Sequence, residues 1–308
     1  MGKVAYRVKN WKSYNSALIN RGSLTVWIDE EAIANWLSTE EPDGRGRPCT
    51  YSEVAIETGL TLRSLWKISL RMAQGLLQSI LDLMHVDLAA PHYSTLCRRA
   101  SELKIDLKIS SSKEPRHLVI DSTGLKVFGE GEWKTRIHGK AKRRTWRKLH
   151  VSIDAKTHEI VACSLTDKDT HDSMETKNLL PTGVDIDAVY GDGAYDNQNA
   201  YQPIVDAGAR AVIPPRSGAA LMKAKTWGIV ERNKNVREKW VLGIKLWKKA
   251  RNYHLRSLVE TGMYRQKQIL GDRLRAIDFS RQITESRIRA SILNKMTQLG
   301  MPKSCKIS

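Results

Sequence analysis

His117-Leu118-Val119-Ile120-Asp121-Ser122-Thr123-Gly124 is the stretch whose reading settles the fold. Leu118, Val119 and Ile120 form a continuous apolar run, the pattern of a strand covered on both faces, and Ser122-Thr123-Gly124 carries turn chemistry. The spacing predicts a buried strand that ends on a carboxylate. An acid in apolar surroundings is costly unless it meets a cation, a metal or solvent, so Asp121 needs a partner.

Charge narrows the search for that partner. The 308 residues include 51 Lys and Arg against 33 Asp and Glu, a net charge of +18, and the mean hydropathy of −0.43 is that of a globular chain. Such an excess points to a polyanion, with nucleic acid favoured over an acidic membrane surface. No apolar run reaches the length of a spanning helix, and Met1 to Arg7 lacks the apolar centre of a signal peptide, so a cytoplasmic location and no membrane partner are expected. Cys49, Cys97, Cys163 and Cys305 form no CxxC pair, which argues for reduced thiols and against a zinc site.

Upstream of the strand the pattern is helical. Ile28, Ala32, Ile33, Trp36 and Leu37 suggest one amphipathic helix behind Thr25. Pro42-Asp43-Gly44-Arg45-Gly46-Arg47-Pro48 then breaks the pattern; it reads either as an AT-hook, with Arg45 and Arg47 in a minor groove, or as a basic linker. Ala55, Gly59, Leu65 and Ile68 suit a helix, a tight turn and a second helix. Leu76, Leu77, Ile80, Leu81 and Met84 form a further stripe, and His92 opens another helix on which Arg98 and Arg99 suit phosphate or base-edge contacts. A small bundle with a solvated basic face is the plainer alternative. The Ser-rich, proline-closed segment from Lys108 to Pro115 marks the boundary between a helical DNA-binding region, 1–112, and a second domain, 113–308.

Beyond that boundary the periodicity becomes extended. Leu125 to Gly129 is one run, and Leu149 to Asp154 with Glu159 to Leu165 should form an antiparallel hairpin. Ser173 to Leu180 reads as a helix, Ala188-Val189-Tyr190 as a strand, Arg210 to Arg216 as a final strand stopped by prolines, and helices dominate from Val236 to Leu293. The expected class is α/β with a mixed, covered sheet.

Asp192 repeats the situation of Asp121, since the Ala188-Val189-Tyr190 strand delivers it among glycines; Asp196 follows in the same segment. Two adjacent carboxylates repel, and a proton or a divalent metal is the usual resolution. At about 100° per residue, Tyr253, Arg256, Glu260 and Lys267 share one helical face within about 60°. An Arg256–Glu260 surface pair is the ordinary alternative. Three carboxylates holding two Mg²⁺ ions about 3.5–4 Å apart suit phosphodiester chemistry, with Arg and Lys gripping neighbouring phosphates. Lys134, Arg136, Lys140, Lys142, Arg143, Arg144, Arg147 and Lys148 form an acid-free run interleaved with Trp133 and Trp146, and Trp240 and Trp247 lie in a second basic stretch. These tryptophans either stack on bases or fill the core.

The residues Ile120-Asp121-Ser122-Thr123-Gly124, Arg143 to His150, Gly191 to Asp196, Ile213-Pro214-Pro215-Arg216 and the Tyr253, Arg256, Glu260, Lys267 signature together resemble the bacterial insertion-sequence transposases of the DDE superfamily. Within that superfamily they resemble the insertion-sequence-five family in its nine-oh-three subgroup. The resemblance implies a ribonuclease H-like catalytic core in which Asp121, Asp192 and Glu260 bind two Mg²⁺ (or Mn²⁺) ions, and it selects Asp192 over Asp196. It implies DNA partners, namely terminal inverted repeats and target DNA, hydrolysis at the element ends, and joining of the 3′-hydroxyls. It also implies a homodimer or higher oligomer on DNA and a place on the nucleoid. A DNA-binding repressor on the same scaffold, or a nuclease that cannot join, would use the same charge or the same acids.

Overall fold

The computed structural model describes residues 6–39, 49–127 and 146–307. Residues 1–106 with 291–308 form one compact unit, and residues 107–290 a second. The first unit opens with strand β1 (Tyr6–Val8), then α1 (Trp11–Asn20), α2 (Leu24–Trp27) and α3 (Glu30–Ala34). In place of the single helix expected here, Ile28 is extended and Asp29 caps α3, accepting the Ala32 N–H at 2.9 Å. A side chain that competes for backbone donors starts a new helix and ends the old one.

Helix α4 (Glu53–Trp66) begins at the cap Ser52 and runs straight through Gly59. The expected tight turn is not there, because Gly59 is a packing glycine: a Cβ on it would lie 2.9 Å from Leu96 Cδ2. The chain turns instead at Lys67, whose φ is +53°, before α5 (Leu70–Leu83) and α6 (Tyr93–Arg99). The Arg45 and Arg47 segment lies outside the described residues.

The second unit holds β2 (Arg116–Val127), β3 (Trp146–Asp154), β4 (Ile160–Asp167), a 3₁₀ helix over Asp172–Leu179, β5 (Ile186–Tyr190), a 3₁₀ turn over Gly193–Tyr195, α7 (Gln198–Asp206) and β6 (Arg210–Val212). There follow α8 (Trp227–Ala250), a 3₁₀ turn over Tyr253–Arg256, α9 (Ser257–Leu270), β7 (Arg273–Leu274), α10 (Phe279–Leu299) and β8 (Ser304–Lys306). Strand β6 is thus not the last. The division between units falls within α10, and β8 returns to pair antiparallel with β1. Arg21 adds donors to the Met296 and Gly300 carbonyls at 3.3 and 2.9 Å, so the chain beyond Ser291 groups with the first unit and not with the 113–308 domain that was expected to contain it.

The sheet runs β4-β3-β2-β5-β6, with β7 also on β2. Strands β2, β3 and β4 are antiparallel neighbours, whereas β5, β6 and β7 are parallel, so the mixed α/β class is the one observed, consistent with a ribonuclease H-like core. Leu118, Val119 and Ile120 are wholly buried. Strand β2 does not stop at Asp121, however. Ser122, Thr123 and Gly124 pair with His150, Leu149 and Lys148 of β3, and this long-range ladder overrides their local turn preference. The segment expected to be a helix from Ser173 is the 3₁₀ helix. Among the described residues no helix is long and apolar enough to cross a membrane.

Candidate active site

Two parallel strands set the positions of two acids. The β2–β5 ladder ends at the pair Val119↔Tyr190, and Asp121 and Asp192 each follow that pair by two residues. Equal offsets on adjacent parallel strands bring both carboxylates to the same end of the sheet, where β5 has stopped. Leu118, Ile120 and Val189 belong to the core on one face of the sheet. The two-residue alternation sends Val119 and Asp121 to the other face.

Helix α9 lies on that other face. Gly262 lets it approach β3: a Cβ there would sit 2.3 Å from Ile153 Cδ1, and Ile153 pairs with Val119. Val259, wholly buried, anchors the same turn. We expect Gly262→Val to cost about 1–3 kcal/mol by overpacking, read as a lower urea midpoint. Glu260 is thereby held above the sheet beside the two strand acids.

Arg256 joins the three. Its Nη2 donates to Asp121 Oδ2 at 2.8 Å and lies 3.8 Å from Asp192 Oδ2, while Nη1 pairs with Glu260 Oε1. The Arg256–Glu260 pair expected of a surface helix is present, and the same guanidinium also reaches both strand acids. Each strand carboxylate spends its other oxygen locally: Asp121 Oδ1 accepts the Ser122 N–H and Asp192 Oδ1 the Ala194 N–H, both at 2.8 Å. Burial pushes the Asp121 carboxyl above its ordinary value; the Ser122 N–H and Arg256 oppose this, and Asp192 and Asp172 add to it.

The signature helix begins as a 3₁₀ turn, in which Tyr253 and Arg256 eclipse at about 120° per residue, so the four residues still share a face. Tyr253 packs 6.1 Å from the Trp247 ring, with Lys248 Nζ 5.1 Å from its own centroid. Burial pushes its hydroxyl up to about 12, which keeps it a neutral donor. Lys267 is half-buried one further stretch along α9.

Other expected residues lie elsewhere. Arg143 and Arg144 are outside the described residues. Arg147 pairs with Asp167, donates to Gln282 Oε1 at 2.9 Å and stacks over Phe279, and Lys148 donates to the Thr170 carbonyl at 2.7 Å with Asp172 3.1 Å away. Both therefore serve internal contacts. Arg98 is exposed on α6, whereas Arg99 donates to the Tyr51 carbonyl at 3.1 Å. Trp247 is buried in the core, while Trp240 is 58% exposed on a stretch of α8 that breaks at Gly243, φ +69°.

Three residues escaped the sequence reading. Asp172 and the fully buried Tyr195 border the acids: burial raises the Tyr195 hydroxyl most, and the Asp172, Asp121 and Asp192 charges raise it further. Arg232 lies against Asp196, its Nε 2.8 Å from Oδ1, with both side chains buried. No local pattern announces a pair so far apart in the chain. The two neighbouring acids of Gly191 to Asp196 thus have different surroundings: Asp192 joins the carboxylates at Arg256, and Asp196 is buried against Arg232.

Among the described residues no group of three or more His, Cys, Asp or Glu is drawn together around a metal-sized space. What draws Asp121, Asp192 and Glu260 together is one cation, the guanidinium of Arg256. Their donors are carboxylate oxygens, the ligands that Mg²⁺ and Mn²⁺ take, so the residues fit such ions in the chemistry of the donor set.

Residues 112–295, more than half of the chain, match a family model described as Transposase DDE domain, and residues 19–130 match a second model of the same description.

Proposed function

Since the chain belongs to the DDE transposase family, we propose that Asp121, Asp192 and Glu260 are its catalytic acids and that it cuts and joins the ends of an insertion sequence of the insertion-sequence-five family, nine-oh-three subgroup. The observation that carries this reading is the convergence of the three carboxylates, from β2, from the end of β5 and from α9, on Arg256. Asp121, Asp192 and Glu260 would hold two Mg²⁺ or Mn²⁺ ions, which when bound stabilise the charge on the attacking and leaving oxygens of a phosphodiester. Water attacks the phosphodiester at the element end first, freeing a 3′-hydroxyl and leaving a 5′-phosphate on the other side; that 3′-hydroxyl then attacks a target phosphodiester and displaces a target 3′-hydroxyl, and no covalent enzyme intermediate is needed.

The chain's own groups position the polyanion. Arg256 offers a planar fork to a phosphate, Lys267 a point charge and Tyr253 a neutral hydroxyl, all from one helical face. The exposed Trp240, with Lys245, Lys248 and Lys249 near it in the chain, suits an unstacked base on a backbone held by cations. The helices of residues 1–112, with Arg98 exposed, would bind the terminal repeats, and a dimer or higher oligomer would pair two ends.

Arg256 gives this reading a direct check. In the absence of DNA its guanidinium is the countercharge of the acids, so Arg256→Ala should tighten Mn²⁺ binding about ten-fold, seen by electron paramagnetic resonance titration. The same change, like Lys267→Ala, should slow the joining of pre-cleaved ends. Unaltered Mn²⁺ affinity would show that the guanidinium does not compete for the acids.

The deciding experiment incubates the pure protein with the element's end DNA, a supercoiled target and Mg²⁺, and scores both products. Cleaved and joined products are expected. Cleavage without joining would make the protein a nuclease, and end binding without cleavage a repressor.

A further inference from the structure

Ile213-Pro214-Pro215-Arg216 has no part in the chemistry above, yet it ends in an arginine whose donors turn inward. Arg216 is exposed. Its Nε donates to the Gly193 carbonyl at 2.8 Å, its Nη2 to the Ala194 carbonyl at 3.1 Å, and its backbone N–H to Asp196 Oδ2 at 2.9 Å. Gly193 and Ala194 are the two residues that follow Asp192, and Asp192 itself caps their turn through the Ala194 N–H. One arginine therefore ties down the turn that carries the acid.

The arginine is itself secured. Lys239 Nζ donates to the Pro215 and Arg216 carbonyls at 3.0 and 2.9 Å. Two consecutive prolines fix φ just before it. Asp196, which accepts the Arg216 N–H, is fastened from below by Arg232, and Arg232 Nη1 reaches the Ala220 carbonyl at 3.0 Å. The turn over Gly193–Tyr195 is a single 3₁₀ turn, too short to hold its shape by its own hydrogen bonds. Its rigidity has to come from outside.

We propose that Arg216 is a positioning residue for Asp192: its guanidinium clasps the Gly193 and Ala194 carbonyls and so holds the Asp192 carboxylate beside Asp121 and Glu260. This rests on the reading of Asp192 as a metal-binding acid. Arg216 needs no contact with DNA for this role.

The test compares the full chain with Arg216→Ala, Arg216→Lys and Asp192→Asn, each titrated with Mn²⁺ by electron paramagnetic resonance, melted thermally and followed by amide hydrogen exchange. Arg216→Ala should bind Mn²⁺ about ten-fold more weakly, the change that losing one or two modest hydrogen bonds carries. Amides from Asp192 to Asn197 should exchange faster, while the melting temperature stays within about 2 °C because the side chain is exposed. Arg216→Lys should recover part of the affinity, since an ammonium can still reach one carbonyl. Asp192→Asn should bind more weakly than either.

Wild-type Mn²⁺ affinity in Arg216→Ala together with loss in Asp192→Asn would overturn the positioning role and leave the reading of Asp192 standing. Wild-type affinity in Asp192→Asn would overturn that reading itself. A large fall in melting temperature for Arg216→Ala would make the arginine a general structural tie, and normal metal affinity with weakened end-DNA binding would make it a phosphate contact; either result ends the proposal.

Discussion

Asp192→Asn is expected to leave a folded protein whose Mg²⁺-dependent cleavage of end DNA falls about a thousand-fold or more. The side chain is 37% exposed, so its replacement opens no cavity. An asparagine Oδ1 still accepts the Ala194 N–H, so the cap on the turn survives, whereas alanine would remove it. Only the charge is lost, and with it one of the three carboxylates gathered at Arg256. Asp121→Asn and Glu260→Gln should behave alike. Near wild-type cleavage by any one of these purified variants would take that residue out of the chemistry.

Four residues further on, removing a carboxylate should act on stability. Asp196→Ala is expected to cost about 3–5 kcal/mol of stability in urea denaturation, because it strands a buried guanidinium. The Asp196 and Arg232 side chains are 0% and 7% exposed. Asp196 Oδ2 also accepts the Arg216 N–H at 2.9 Å, so the loss is of more than one contact. Arg232→Met should also destabilise in the same urea denaturation, because it strands the buried Asp196 carboxylate. A stable Asp196→Ala beside an unfolded Asp192→Asn would reverse the roles given to the two acids.

Much of the second unit was legible because its signals are local. Leu118-Val119-Ile120 is apolar on consecutive positions, and the strand is buried on both faces. The short turn between Asp154 and Ile160 demands a hairpin, and β3 pairs with β4. The helical face of Tyr253, Arg256, Glu260 and Lys267 survives a 3₁₀ start because both periodicities bring i and i+3 close together. Where local preference met a distant partner, the partner won. Ser122-Thr123-Gly124 is turn-like by composition and extended in fact, since β3 supplies its ladder. Gly59 looked like a turn and is a contact with Leu96. Arg147 and Lys148 looked like a cationic face, and Asp167, Gln282, Thr170 and Asp172 engage them.

The sequence by itself determined that Asp121 closes an apolar run, that a second strand delivers acids, that a helix carries Glu260 among cations, and that the chain as a whole is strongly basic. These are properties of spacing and composition, and they need no long-range information. Tertiary structure alone decided that Asp121 and Asp192 stand at equal offsets from one strand pair, that Gly262 brings Glu260 down to them, and that Arg256 reaches all three. It also gave Asp192 and Asp196 different surroundings, burying Asp196 against an arginine far along the chain. The physical reason is that burial and charge pairing belong to neighbours in space: a carboxylate's surroundings are set by which strands and helices fold against it, and no short window of residues contains them.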